Sequence, residues 1–212
     1  MSIDRRPINH PSFPQVNGLR LYGRRIMMRP LMAPDFAGWS DVRLRNEKWL
    51  LPWEPSRVPG QGDPTRERDV FASRCSARDR DRHMGLSSAF GLFVDNVFVG
   101  EVNVNNLVRG AQQTGTIGYW IDQAYAGHSY VAEGVCVVMR FAFDELRLHR
   151  LEVCIIPRNA NSRRVVDKLR LRDEGIALRF LEINGVWEDH VRYGITSEEW
   201  TARKTELSAA WL

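Results

Sequence analysis

Trp120-Ile121-Asp122-Gln123-Ala124-Tyr125-Ala126-Gly127-His128-Ser129-Tyr130-Val131-Ala132-Glu133 joins a strand to a helix. The run Thr114 to Ile121, rich in β-branched and aromatic side chains, reads as the strand. From Ser129 to Leu146 apolar residues cover nearly the whole circumference of a helical pattern, as expected of a central helix buried by a sheet and by other helices. So short a turn directs unpaired backbone N–H groups and the positive end of the helix dipole at one point, and such a point binds anions.

Upstream, Arg24 to Pro30 reads as a first strand, and Ala33-Pro34-Asp35 opens a helix that runs to about Asn46. Two tryptophans and two prolines in Trp49 to Pro55 suggest a stiff, exposed loop. Thr65 to His83 follows as a charged helix. Ala89 to Val94 and Val97 to Asn105, separated by Asp95-Asn96, form a hairpin, and Thr114 to Ile121 is the third strand of that meander. Downstream come a strand from His149 to Pro157, a helix from Asn161 to Leu169, and a hairpin of Gly175 to Asn184 with Val186 to Ile195, turning at Asn184-Gly185. A short helix opens at Thr196-Ser197-Glu198-Glu199. A strand-helix-strand unit inside a meander implies an α/β (mixed α+β) fold: a mixed, mostly antiparallel twisted sheet with helices on both faces. Residues 1–19 are expected to be a mobile tail, 20–200 a single domain, and 201–212 a C-terminal tail.

The 212 residues, 43% hydrophobic and 26% charged, supply a real core and exclude global disorder. Thirty Lys plus Arg against 26 Asp plus Glu leave a formal +4, too small an excess to mark a nucleic-acid binder. Twenty-seven of those thirty cations are arginine, a side chain suited to bidentate contact with phosphate or carboxylate. Cys75, Cys136 and Cys154 are odd in number and far apart, which fits neither a disulfide framework nor a zinc site, and a reducing cytoplasm is the expected compartment. Met1 to Gln15 lacks the apolar run of a signal peptide or anchor, so no membrane is expected. The five histidines show no metal spacing, and there is no Walker loop or GxGxxG.

The strand-to-helix turn and the order of elements resemble the GNAT acetyltransferases, whose Gln/Arg-x-x-Gly-x-Gly/Ala turn cradles the pyrophosphate of acetyl-CoA. Leu148-His149-Arg150-Leu151-Glu152 and Asn159 to Leu169 extend the resemblance, which covers about Arg20 to Trp200. Within that family the chain is most similar to the RimJ/RimL-type ribosomal-protein alanine N-acetyltransferases. The similarity is carried by Leu51-Pro52-Trp53-Glu54-Pro55, Gly100-Glu101-Val102-Asn103, Asn106 to Gly110, Ile117-Gly118-Tyr119-Trp120 and Asn184 to Val191. The turn departs from the pattern: Ala126 stands for Gln or Arg, Ser129 for Gly and Val131 for Gly or Ala, while Arg170-Leu171 replaces the usual Gly-Phe. Valine adds bulk at the cofactor wall, and restoring Ser129→Gly and Val131→Ala is expected to sharpen binding.

The resemblance implies that Ala126, Gly127, His128, Ser129, Tyr130 and Val131 hold the pyrophosphate of acetyl-CoA, that backbone N–H groups of Tyr119, Trp120 and Ile121 polarise the thioester, and that Asn159 touches the pantetheine arm. Arg164, with Arg163 and Lys168, either reaches CoA phosphates or forms a solvated helix face. Glu101 shares a strand face with Asn103, and a partly desolvated carboxylate there, its pKa raised, is a candidate base. The alternative is a solvated glutamate, with Glu54 and Glu182 as rivals. Ser162 matches the family serine near the cofactor sulfur and is the candidate acid, or else helps cap its helix. The tyrosine that many relatives carry one turn further along is absent. Trp53, Glu54 and Asn103 are candidate acceptor contacts; Trp49 and Trp53 either wall the acceptor site or pin the loop onto the core, one in each role, and the sequence does not say which. The function expected is acetyl transfer from acetyl-CoA to a protein N-terminal α-amine, an alanine-leading ribosomal protein among the candidates, by direct attack. A small-molecule amine acyltransferase and a non-catalytic acyl-CoA-binding or interaction module are the alternatives.

Overall fold

The computed structural model describes residues 18–56 and 60–212. The expected N-terminal tail falls almost wholly outside them. Strands β1 (Leu21–Tyr22) and β2 (Met27–Arg29) precede helix α1 (Phe36–Arg45), which a 3-10 turn at Ala33–Asp35 introduces. The Trp49–Pro55 stretch, expected as a stiff, exposed loop, is exposed at Leu51, Pro52 and Pro55 but is not irregular throughout. It holds a one-turn helix α2 (Glu47–Leu50) and a 3-10 turn (Leu51–Trp53), with Leu50 buried. Helix α3 (Arg68–His83) leads into the meander β3 (Ser88–Val94), β4 (Val97–Val108) and β5 (Thr114–Ile121). Helix α4 (Tyr130–Arg140) ends in a π turn at Phe141–Glu145. Then follow β6 (Arg150–Ile155), α5 (Ala160–Lys168), β7 (Arg172–Ile183), β8 (Val186–Thr196) and α6 (Ser197–Trp211).

The strands form one sheet in the order β1-β2-β3-β4-β5-β6-β8-β7, antiparallel except between β5 and β6. Both hairpins turn on paired left-handed residues, Asp95 and Asn96 at φ 49° and 64° and Asn184 and Gly185 at 47° and 80°, the geometry that matches strand twist. One core packs α4, α5 and α6 on the sheet through Val135, Val138, Val166 and Leu207, against Phe90, Leu92 and Val102. A second lies over the other face, where Trp39 and Val42 of α1 and Phe71 and Cys75 of α3 meet Phe93 and Phe98. Residues 201–211, expected as a tail, continue α6 and bury Leu207. That helix starts on a reciprocal cap: Thr196 N–H donates to Glu199 Oε2 at 2.8 Å and Glu199 N–H to Thr196 Oγ1 at 3.4 Å. Among the described residues no helix is long and apolar enough to cross a membrane.

One feature of the sheet positions the site. β5 and β6 pair only over Thr114↔Arg150, Gly115↔Leu151 and Thr116↔Glu152, then diverge, while β6 stays paired with β8 on its other edge throughout. Beyond Thr116 the β6 side of β5 has no strand beside it. Its backbone groups there face a gap, at the point where the strand direction changes.

Candidate active site

A cleft of about 370 Å³ occupies that gap, walled by β5, the turn into α4, α5 and the α2 segment. Asp122 N–H donates to Val99 O at 2.7 Å, so the alternation of strand groups turns the amides of Tyr119 and Ile121 the other way, into the gap. Trp49 Nε1 donates to the Ile121 carbonyl at 3.1 Å, which pins its segment to β5, and both tryptophans line the cleft, Trp53 under the Arg158 guanidinium. Asp122 is buried. Its carboxylate takes hydrogen bonds from Arg45, from Asn46 Nδ2 (2.8 Å) and from Ala124 N–H (3.2 Å). Burial alone would raise the Asp122 pKa, but these donors hold it below the usual carboxylate range and tie α1 to the end of β5.

The first intrahelical bond of α4 runs from Glu133 N–H to Ser129 O at 3.0 Å, so the N–H groups of Tyr130, Val131 and Ala132 precede it and await an outside acceptor. Lys168 Nζ donates to Ser129 Oγ at 2.6 Å, and Arg164 lines the same mouth, so two cations of α5 face the positive end of α4. The turn is braced from behind. The buried Glu133 carboxylate accepts from Arg25 N–H at 2.6 Å and from Arg25 Nε at 2.9 Å, while Arg25 Nη1 donates to His128 O at 3.1 Å. The His128 ring stacks on Tyr130 and does not line the cleft, whereas Ala126, Gly127, Ser129, Tyr130 and Val131 do.

On the opposite wall Asn159 caps α5: its Oδ1 accepts Ser162 N–H at 3.0 Å. Ser162 Oγ is thereby released from capping and donates to Tyr119 Oη at 2.9 Å, and Tyr119 Oη donates to Ser162 O at 3.1 Å. Burial pushes the Tyr119 phenol well above its ordinary pKa, so it stays protonated. From the sequence only the Tyr119 amide was expected in the site.

A second cavity, about 590 Å³, adjoins the cleft and shares Leu50, Glu54, Asn103 and Trp120 with it. Glu101 and Asn103 both line it, as their common strand face requires. Glu101 is nevertheless no free carboxylate. Fully buried, it accepts from Trp39 Nε1 (2.6 Å), Arg74 Nη2 (2.9 Å to each oxygen) and Arg78 Nη1 (2.6 Å). Burial would raise its pKa as expected; the charges of Arg78 and Arg74 and the Trp39 hydrogen bond overcome burial and bring it down to about 2. Glu54 is held bidentately by Arg43 at 2.5 and 2.6 Å. Glu182 lies exposed on the hairpin and lines neither cavity, whereas the hairpin tip reaches the site through Asn184 N–H, which donates to Glu54 O at 3.0 Å. Trp39, Arg43, Arg74 and Arg78 were not foreseen. Their one local signal is that Arg74 and Arg78 stand four apart and so share a helix face. Among the described residues no group of three His, Cys, Asp or Glu stands ready to hold a metal ion.

The family model described as "Acetyltransferase (GNAT) domain" matches residues 25–172. The chain belongs to the GNAT acetyltransferase family. "Probable N-acetyltransferase YjcK" of Bacillus subtilis (strain 168) is 35% identical over 176 residues, 80% of this chain and 93% of its own. The "[Ribosomal protein uS5]-alanine N-acetyltransferase" of Escherichia coli (strain K12) is 28% identical over 185 residues, 86% of this chain and 93% of its own. Among solved structures, Mycobacterium smegmatis RimJ in complex with CoA-disulfide superposes with a TM-score of 0.78 at 28% identity, covering 92% of this chain and 97% of that one. The protein is a GNAT-type, acyl-CoA-dependent N-acetyltransferase.

The geometry explains where this GNAT chain departs from the family's pattern. Ser129 sits at φ 67°, a left-handed conformation that glycine adopts without cost and that strains a residue with a Cβ. Arg170, one residue past the C-cap Leu169 of α5, sits at φ 50°, the left-handed position that ends helices and suits glycine, while Leu171 beside it is buried in the core. Val131 lines the cleft, yet most of its side chain is turned into the core, and the cleft stays open beside it. Replacing it with alanine would therefore open a void in the core.

Proposed function

We propose that the enzyme moves acetyl from acetyl-CoA to the α-amine of a protein N-terminus, an alanine-leading ribosomal protein being the first candidate, by direct attack in a ternary complex. The observation that carries this reading is the meeting of two cavities at Asn103, Glu54 and Trp120: one mouth offers free amides and cations to a diphosphate, and the other is roomy enough for a chain end. The Escherichia coli relative, a ribosomal protein uS5-alanine N-acetyltransferase by name, supports the acceptor class. In this reading the Tyr130–Ala132 amides with Lys168 and Arg164 hold the donor's phosphates, Asn159 meets the pantetheine arm, and the amides of Tyr119 and Ile121 polarise the thioester oxygen. The cytoplasm, where acetyl-CoA and ribosomes meet, is the compartment that goes with it.

No carboxylate of the site is a base in waiting, since Glu101 and Glu54 are both held by arginines. The amine reaches its neutral form by losing its proton to water. That favours an α-amine, with a pKa near 8, over a lysine side chain, with one above 10. The neutral nitrogen then attacks the thioester carbon, the C–S bond breaks as the amide forms, the nitrogen sheds its second proton to water, and the thiolate takes the Ser162 Oγ proton, which Ser162 recovers from that water. The test is thiol release from acetyl-CoA with an Ala-leading peptide, the same peptide blocked at its N-terminus, and a small primary amine. The expected result is turnover with the free N-terminus alone. Turnover with the small amine and not the peptide would transfer the reading to small-molecule acyltransfer.

A further inference from the structure

The acceptor cavity carries a charge surplus that the transfer chemistry leaves unused. Arg43 is matched by Glu54, two N–H groups to two oxygens. Arg74 and Arg78 share the single carboxylate of Glu101, which leaves one positive charge over in that cluster. Arg43 and Arg74 both line this cavity, and one guanidinium nitrogen of each, Arg43 Nε and Arg74 Nη1, lies buried behind it without a hydrogen-bond acceptor among the described residues. Both arginines stack on Trp39, at 4.8 and 5.8 Å from the ring centroid, which holds their planes but supplies no acceptor for those N–H groups. Arg74 is the less well compensated, since burial pulls its pKa below the ordinary arginine value against the opposing pull of Glu101. Of the other charged lining residues, Glu47 is exposed and Arg66 is a further cation, leaning on Asp63 at 3.5 Å, while the Asp63 charge acts on Arg43, which Glu54 already matches. A partly buried cation without its full complement of acceptors is costly, and in a cavity open to solvent it is a site for an anion.

We infer that the cavity selects acceptor amines bearing a carboxylate close to the reacting nitrogen, with Arg74 and Arg78 as the residues that bind it. The inference rests on the acyl-transfer reading and adds to it the chemical class of the acceptor. Two sources can present the carboxylate: an Asp or Glu near the start of a protein chain, or the α-carboxylate of a free amino acid. The same surplus disfavours an ammonium beside it, which eases loss of the amine proton where no base stands ready.

Calorimetry on the whole chain with CoA present tests this without any acetyl being moved. The probes are an Ala-Asp-leading peptide, its Ala-Asn counterpart, alanine and alaninamide. The expected result is about tenfold tighter binding of one carboxylate probe over its neutral partner. The Asp/Asn pair reports a chain end and the alanine/alaninamide pair a free amino acid. That preference should shrink with added salt, collapse in Arg78→Gln, and return in part in Arg78→Lys, while affinity for the neutral probes holds. Equal affinities within both pairs, no binding of either carboxylate probe at millimolar concentration, or an Arg78→Gln loss common to all four probes overturns the inference. A carboxylate preference without acetyl transfer to any acceptor would instead overturn the reading of function and leave this one standing.

Discussion

The two cavities that meet at Asn103 and Trp120 are built in opposite ways. The donor cleft is lined mostly by two short stretches of chain, 118–132 and 159–168, and the turn into α4 offers main-chain amides that survive side-chain change there: Ser129 and Val131 replace the family's small residues and the amides behind them are unaltered. The acceptor cavity is made of side chains from α1, α3, β4 and the β7–β8 hairpin tip, held by guanidinium–carboxylate contacts over a buried floor. The first should tolerate substitution and keep its ligand. The second should be brittle, and its specificity should move with single charges.

Substitutions on the two sides sharpen this contrast. The largest effect belongs to Glu101→Gln, which leaves two guanidinium groups beside an uncharged amide. We expect a loss of about 3 kcal/mol in urea unfolding, with CoA binding retained by whatever stays folded. The sign of the pH dependence follows from the same contact. The folded pKa lies below the ordinary glutamate value of 4.5, so the contribution is whole above that value and fades as pH falls toward about 2. A pH-activity profile should therefore show no ionisation of Glu101 between pH 5 and 9, a range chosen as roughly the working one.

On the donor side Ser162→Ala should lower kcat about a hundredfold with the Kd for CoA unchanged, if the hydroxyl pair protonates the thiolate. Loss of CoA affinity with kcat intact would reassign Ser162 to binding. Val131→Ala should cost about 2 kcal/mol of stability, read by thermal melting, because the methyls it removes are packed in the core. Lys168→Ala should weaken CoA about tenfold by titration, as expected for one charge-assisted contact to phosphate. Ser129→Gly, the smallest effect, should add about 1 kcal/mol to stability by relieving the left-handed strain. The two substitutions that restore the family's pattern thus act in opposite directions on the fold.

The same contrast governs what the sequence discloses. The bounds of β5 were legible in its composition, and both hairpins in Asp95-Asn96 and Asn184-Gly185, because a strand run and a left-handed turn are local properties. The cleft was legible for the same reason, since a strand-to-helix turn presents its amides whatever the rest of the chain does. The environment of Glu101 was not. Its partners Arg78, Arg74 and Trp39 lie 23, 27 and 62 residues away, and only the packing of α1 and α3 over β4 brings them together. Hence the direction of its pKa came out opposite to expectation: burial was foreseen, and the two arginines that outweigh it were not. Tyr119 was missed more narrowly. Its amide was placed correctly on β5, but that its phenol crosses the cleft to Ser162 depends on how far α5 lies from the strand.

Titration of CoA into the intact chain by calorimetry tests the central claim, that the main-chain amides opening α4 grip a diphosphate in spite of the altered turn. We predict saturable one-to-one binding well below millimolar concentration, weakened by Lys168→Ala. A trace that stays flat to millimolar CoA would contradict it.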